Sequence, residues 1–230
     1  MSRRLCCLAA LFAVAAALAL PFDMPLMSYF QGEEDWDAIH DLVTLAEVFA
    51  HGLGAACILL TAYVLDVPQR RRMPRIIVAV VAAGLSADVI KVVVGRMRPR
   101  ALAVDQVWDS FAGWFPLFYP EIRQGMSVSN CQSFPSGHAT VATALAIGLC
   151  ILYPRGRWLF VGFAVLGSMQ RVESCAHYLS DTLAGAALAC LVCAACLGRH
   201  GIGRWFERRE SIGDTNGERN RCSLPGEPIP

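Results

Sequence analysis

Six long apolar stretches constrain this chain more than any other feature. They run at about 5–22, 43–66, 76–95, 138–153, 158–170 and 178–197. A helix needs roughly 20 apolar residues to cross a bilayer, and about 17 is the usual lower limit. The first, second, third and sixth stretches meet that length. The fourth and fifth are short, and they count as spans if the polar residues at their ends line a cavity. Charged residues make up 17% of the 230 positions against 55% hydrophobic, with mean hydropathy +0.45. A soluble domain carries about 25% charged residues, so the balance points to a membrane protein. The expected fold is all-α, an integral membrane bundle of six transmembrane helices. Residues 1–203 form one polytopic domain, and no internal repeat is visible. Residues 204–230 are polar, carry Gly and Pro and lack a periodic apolar face, which predicts a disordered tail.

Basic residues orient the bundle. Arg3 and Arg4, Arg70 to Arg72 with Arg75, Arg155 with Arg157, and the arginines from Arg199 onward fall on alternate ends of the stretches. By the positive-inside rule these ends, and both termini, are cytoplasmic. The segment 23–41 then lies outside; it has no Lys or Arg but holds Asp23, Glu33, Glu34, Asp35, Asp37 and Asp41. Arg3 and Arg4 followed by CCLAALFAVAAALAL also resemble a signal peptide, with Ala17-Leu18-Ala19 as a cleavage site. The segment is long for that role, which favours a retained helix.

Three polar clusters sit where the apolar stretches end, all on the predicted outer face. Ionisable groups are costly at membrane depth, so their repeated placement there suggests a site. Lys91, Arg98 and Pro99 close the third stretch. Guanidinium binds phosphate oxygens in a fork, and Lys adds a point charge. Basic residues at a membrane boundary also snorkel toward head groups. Arg96 and Arg100 are assigned to that simpler role. Asp88, one helical turn before Lys91, is placed to orient it.

Pro135, Ser136, Gly137 and His138 open the fourth stretch. Ser136 is an expected N-cap, and Pro135 bars an earlier start. Gly137 lets a ligand approach the backbone, and free N–H groups at a helix start bind anions. His138 is placed to give a proton to a leaving group, although a capping turn with an incidental histidine reads the same way. Arg171, His177 and Asp181 join the fifth stretch to the sixth. His177 and Asp181 are i and i+4 on the predicted sixth helix and share a face. A carboxylate there fixes the imidazole tautomer and leaves the other nitrogen free to attack, or makes only a structural hydrogen bond.

Lys91, six residues, then Arg98-Pro99, followed by Pro135-Ser136-Gly137-His138, then Arg171, five residues, His177, three residues, Asp181, resembles the signature of the type-2 phosphatidic acid phosphatase superfamily. That superfamily includes membrane lipid phosphatases, bacterial acid phosphatases and vanadium haloperoxidases. The resemblance covers roughly residues 76–197. One departure is Gln170, where the family usually has serine. The resemblance implies a phosphatase that needs no metal or other cofactor. His177 would be the nucleophile, Asp181 its orienting group and His138 the acid and then the base. Lys91, Arg98, Ser136, Gly137 and Arg171 would hold the phosphate. The implied partners are a membrane lipid phosphate and the bilayer, with no nucleic acid and an open oligomeric state. Phosphatidic acid, phosphatidylglycerophosphate, polyprenyl diphosphate and lipid A phosphates all fit. The alternative is a non-catalytic lipid-phosphate-binding protein or a transporter.

The loop 100–134 is expected beside the site. Its Trp108, Phe111, Trp114, Phe115, Phe118 and Tyr119 either lie flat at the lipid interface or pack over the helix ends. Among ten cysteines, Cys190, Cys193 and Cys196 read as small packing residues. Cys131 and Cys175 lie outside near two clusters, where a disulfide would tie them together.

Overall fold

Each of the six apolar stretches is helical in the computed structural model, which describes residues 2–32, 37–101, 107–115 and 127–198. Helix α1 (Ser2–Ala19) passes through a single turn at Leu20–Phe22 into α2 (Asp23–Gly32). The others are α3 (Asp37–Ala50), α4 (Gly52–Leu65), α5 (Met73–Val93), α6 (Gly137–Leu152), α7 (Arg157–Glu173) and α8 (Leu179–Leu197). Phe118, Tyr119, the arginines from Arg199 onward and the tail expected at 204–230 lie outside the described residues.

Small side chains set how closely these helices approach. Ala142, Leu145, Ala146 and Leu149 of α6 are buried in one cluster with Ile76, Ala79 and Ala83 of α5 and Ala189 and Cys193 of α8. Where lipid removes the hydrophobic drive between helices, close packing of small residues takes over. Large apolar side chains point the other way: Leu11 and Val14 on α1, Leu85 and Val89 on α5, and Val165 on α7 are exposed. A continuous apolar exterior over a small-residue interior suits a lipid solvent.

By length and composition three helical runs can cross a membrane: Ser2–Gln31, Met73–Val93 and Leu179–Leu197. A fourth qualifies only as a bent pair, Val43–Ala50 with Gly52–Leu65, at 71°. Among the described residues, three helices, or four with the bent pair counted as one span, are thus long and apolar enough to cross a membrane. Gly137–Leu152 is apolar but shorter. The second stretch is not one straight helix because His51 adopts extended backbone (φ −82, ψ 138) and begins a new helix, its ring nitrogen accepting from Leu53 N at 3.3 Å.

The fold is also not wholly helical. After Val92 and Val93, β-branched residues that lose rotamer freedom in a helix, the chain leaves α5. It forms strand β1 (Val94–Arg96), antiparallel to β2 (Phe111–Trp114), with Gly95 opposite Gly113. This ribbon sets Phe111 and Trp114 beside the end of α5, where Phe115 N donates to the Val93 carbonyl at 2.7 Å. Trp108 and Trp114 are exposed, as an interfacial role requires, whereas Phe111 packs inward. Cys131 and Cys175 are both buried and no disulfide joins them to each other, and Cys190, Cys193 and Cys196 are buried on α8.

Candidate active site

Ser136 begins the site. Its hydroxyl oxygen accepts from Ala139 N at 3.4 Å, which caps α6, and its own N–H donates to the Asp181 carbonyl at 3.0 Å. The second and third clusters are thereby joined through backbone. Gly185 makes this junction possible, because a Cβ there would sit 2.6 Å from the Ser136 carbonyl oxygen. Gly137 joins the first cluster in the same way: a Cβ on it would lie 2.8 Å from Lys91 Nζ. An ammonium thus rests against the opening turn of α6, whose free N–H groups and dipole favour negative charge. Lys91 also meets Asp88 at 3.2 Å, as the helical spacing anticipated.

Arg171 lies in the last turn of α7, and its carbonyl accepts from both Ala176 N and His177 N. That tight turn, with Cys175 at φ 51, carries His177 inward to 2% exposure. His177 is not on a helix, contrary to the i,i+4 expectation; α8 starts two residues later. Asp181 is its N3 residue, in a capping box with Tyr178. His177 Nδ1 lies 2.7 Å from the Ser133 carbonyl oxygen. A carbonyl only accepts, so Nδ1 carries the proton and Nε2 keeps the lone pair. The nearest Asp181 oxygen is 3.8 Å from Nδ1. The tautomer is therefore held by Ser133, with Asp181 acting at longer range. Burial pushes the His177 pKa below its ordinary value of 6.5, against the pull of Asp181.

Asp181 is itself held by a network the sequence reading missed. Arg96 is fully buried rather than snorkelling, with Nη1 donating to Asp181 Oδ1 and Nη2 to Asp23 Oδ2 at 2.7 Å. Its Nε donates to Ser110 Oγ at 3.1 Å, and its guanidinium lies 4.1 Å from the Tyr178 ring centroid and 4.6 Å from that of Phe111. Ser133 Oγ and Tyr178 N donate to the other Asp181 oxygen, at 2.6 and 3.0 Å. A buried guanidinium is tolerated only when paired and hydrogen-bonded, as here. Asp23, at the end of an apolar helical run, was the available signal.

The remaining cations face a common space. Lys91 and Arg171 lie close enough to His138 for their charges to bear on it, and the His51 ring centroid is 5.7 Å from that of His138. Arg98 bears on His177, while its Nε donates to the Ser129 carbonyl at 2.8 Å. Burial, then the neighbouring Arg100 and Arg171, push the Arg98 pKa down. Crowded like charges of this kind mark a place built for an anion. Glu47 of α3, also missed, pairs with Arg171 Nη2 at 2.6 Å and lies 4.0 Å from His138 Nε2. Glu47 and His51 form an i,i+4 ionisable pair inside an apolar stretch, which was a readable signal. Together these groups can seat a tetrahedral oxyanion and present to it a neutral imidazole.

Comparisons with known proteins give the chain a family. The family model for the PAP2 superfamily matches residues 74–202. A "Lipid A 1-phosphatase" of Rhizobium johnstonii is 37% identical over 108 residues, which are 47% of this chain and 39% of that protein. A "Lipid A 1-phosphatase" of Rhizobium etli is 34% identical over 108 residues, 47% of this chain and 41% of that protein. The matched stretch therefore spans about two fifths of these curated relatives. No solved structure matches the chain. With all three polar clusters inside the matched stretch and brought together at one end of the bundle, the chain belongs to the PAP2 superfamily.

Proposed function

We propose that this chain is a metal-independent lipid phosphate phosphatase that works through a phosphohistidine on His177. The observation that carries it is the His177 ring: Nδ1–H held by the Ser133 carbonyl, Nε2 left with its lone pair, beside crowded cations. Nε2 attacks phosphorus, the bond to the lipid oxygen breaks, and that oxygen takes a proton from His138. Water then attacks the phosphohistidine, His138 takes the water proton, and phosphate leaves. Splitting one displacement into two steps is covalent catalysis. Lys91, Arg98, Arg171, the Ser136 hydroxyl and the Gly137 N–H stabilise charge on the phosphoryl oxygens, the term expected to be largest. These residues supply the positive charge that a metal ion supplies elsewhere.

A membrane lipid substrate fits the surroundings. An open apolar groove of ≈ 630 Å³ between α1, α6, α7 and α8 reaches Val172, Leu179 and Thr182, beside the His177 turn. Both relatives are named for lipid A, which makes a lipid A phosphate the first candidate. The proposed topology is six passes over residues 1–203, with both termini and the 204–230 tail cytoplasmic and the site facing the exterior. It rests on the alternation of basic residues.

The test is phosphate release by the full-length chain in detergent from a panel of lipid phosphates, with EDTA present. Release undiminished by EDTA, with a base-stable, acid-labile phosphoenzyme trapped on His177, is expected. Loss of activity in EDTA would contradict the metal-free chemistry. The pH profile adds a second expectation. Only neutral His177 attacks, and its folded pKa lies below 6.5. The acid limb of kcat/KM therefore falls at a pH under 6.5; a limb above that value would contradict the burial of the nucleophile.

A further inference from the structure

We propose that Glu47 is a positioning residue for the acid half of the reaction, holding on His138 the proton that the leaving oxygen takes; this rests on the phosphatase reading above. Glu47 sits one turn before the break at His51, on α3, which packs against α6 and α7. Its carboxylate is 2.6 Å from Arg171 Nη2 and 4.0 Å from His138 Nε2, and its side chain is 33% exposed, so it borders the open part of the site.

The need for such a group follows from the site's own charge. A general acid must carry its proton when the substrate arrives. Arg171 on α7 and Lys91 on α5 bring positive charge toward His138, beside the His177 and His51 rings, and each of these two cations opposes a proton there. Those cations are required to seat the phosphate. A carboxylate on the Nε2 side offsets them. In the working arrangement Nε2–H is held by Glu47 once the gap closes to about 3 Å, the tightening expected when substrate fills a site. The proton on Nδ1 passes to the leaving oxygen as its bond to phosphorus breaks. The ring ends neutral, and its freed Nδ1 takes the proton of the attacking water in a step that does not depend on the proton Glu47 holds. Glu47 never touches the substrate, just as Asp181 stands behind His177 on the nucleophile side.

Two leaving groups separate this role from a structural one. A lipid phosphate monoester expels an alcohol oxygen that must be protonated, whereas p-nitrophenyl phosphate expels a phenolate that leaves without a proton. For Glu47→Gln in the full-length chain, kcat on the fastest lipid substrate is expected to fall about 10–100-fold, part of the 10²–10⁴ that general acid catalysis contributes. On p-nitrophenyl phosphate kcat should change by less than about threefold, with both KM values little altered. Glu47→Asp should recover part of the lipid activity. Retained p-nitrophenyl phosphate turnover shows in the same assay that the variant is folded. Equal loss on both substrates would overturn the proposal and leave Glu47 as a support for Arg171 or for the fold. Unchanged or increased activity would overturn it too, making Glu47 an ion that merely occupies the phosphate seat. If the unaltered chain hydrolyses neither substrate, the phosphatase reading fails first and this one with it.

Discussion

Replacing His177 with alanine is expected to lower phosphate release by on the order of 10³–10⁶-fold, because the nitrogen proposed to form the covalent intermediate cannot be replaced by water held in its place. The cations and the α6 N-terminus remain, so the variant should still bind inorganic phosphate or vanadate. Stability should fall by only about 1–3 kcal/mol, because the change leaves the buried Ser133 carbonyl without its donor. His177→Asn sharpens the result. Its amide N–H can take the place of Nδ1–H toward Ser133, which keeps the turn folded without supplying a nucleophilic nitrogen. A melting curve close to the unaltered chain together with no turnover is the expected pair of observations. Near-normal release by either variant would remove His177 from the mechanism and leave the chain as a binder of lipid phosphates.

The residues proposed to meet the anion were legible because chemistry restricts them to few types at close spacing. Ser136 before Gly137 reads as a cap, and it caps α6. Lys91 ends one apolar run and His138 opens another, and packing of the runs brings them together. What the sequence concealed acts over long separations. Arg96 reaches Asp23 across 73 positions and Asp181 across 85, and no local period encodes such a contact. A basic residue two before Arg98 looks like another membrane-boundary arginine until β1 turns it inward. The i,i+4 spacing of His177 and Asp181 misled for a different reason. The spacing suits a helix, but it does not say where the helix begins, and the capping box of Tyr178 and Asp181 puts that start after His177. The second apolar stretch misled similarly, since composition measures length and not straightness. Glu47 and His51 within it were the trace of the break.

The largest effect on stability is expected from Arg96→Ala. Asp23 and Asp181 are both fully buried, and Arg96 is the cation that both meet. Removing one partner of a buried ion pair strands the other charge in low dielectric and costs about 3–5 kcal/mol, more than the intact pair contributes over an apolar substitute. Here two carboxylates are stranded, and Ser180 and Ser133 can relieve them only in part. For a chain of this length that cost corresponds to an apparent melting temperature lower by on the order of 10 °C in detergent. Arg96→Lys keeps a charge but loses the fork and the stacking between Tyr178 and Phe111, so it should fall between the two. Exposed Arg100 is the control, and Arg100→Ala should shift the melt by no more than about 0.5 kcal/mol. The decisive comparison is the double change. If the penalty comes from uncompensated charge, Asp23→Asn in the Arg96→Ala background should restore part of the lost stability, because it removes one of the two stranded carboxylates. Turnover should stay low, since Asp181 would still lack the guanidinium that holds it behind His177. An Arg96→Ala melt within about 1 kcal/mol of the unaltered chain would show that the network is hydrated and that Asp181 is positioned by Ser133 and Tyr178 alone.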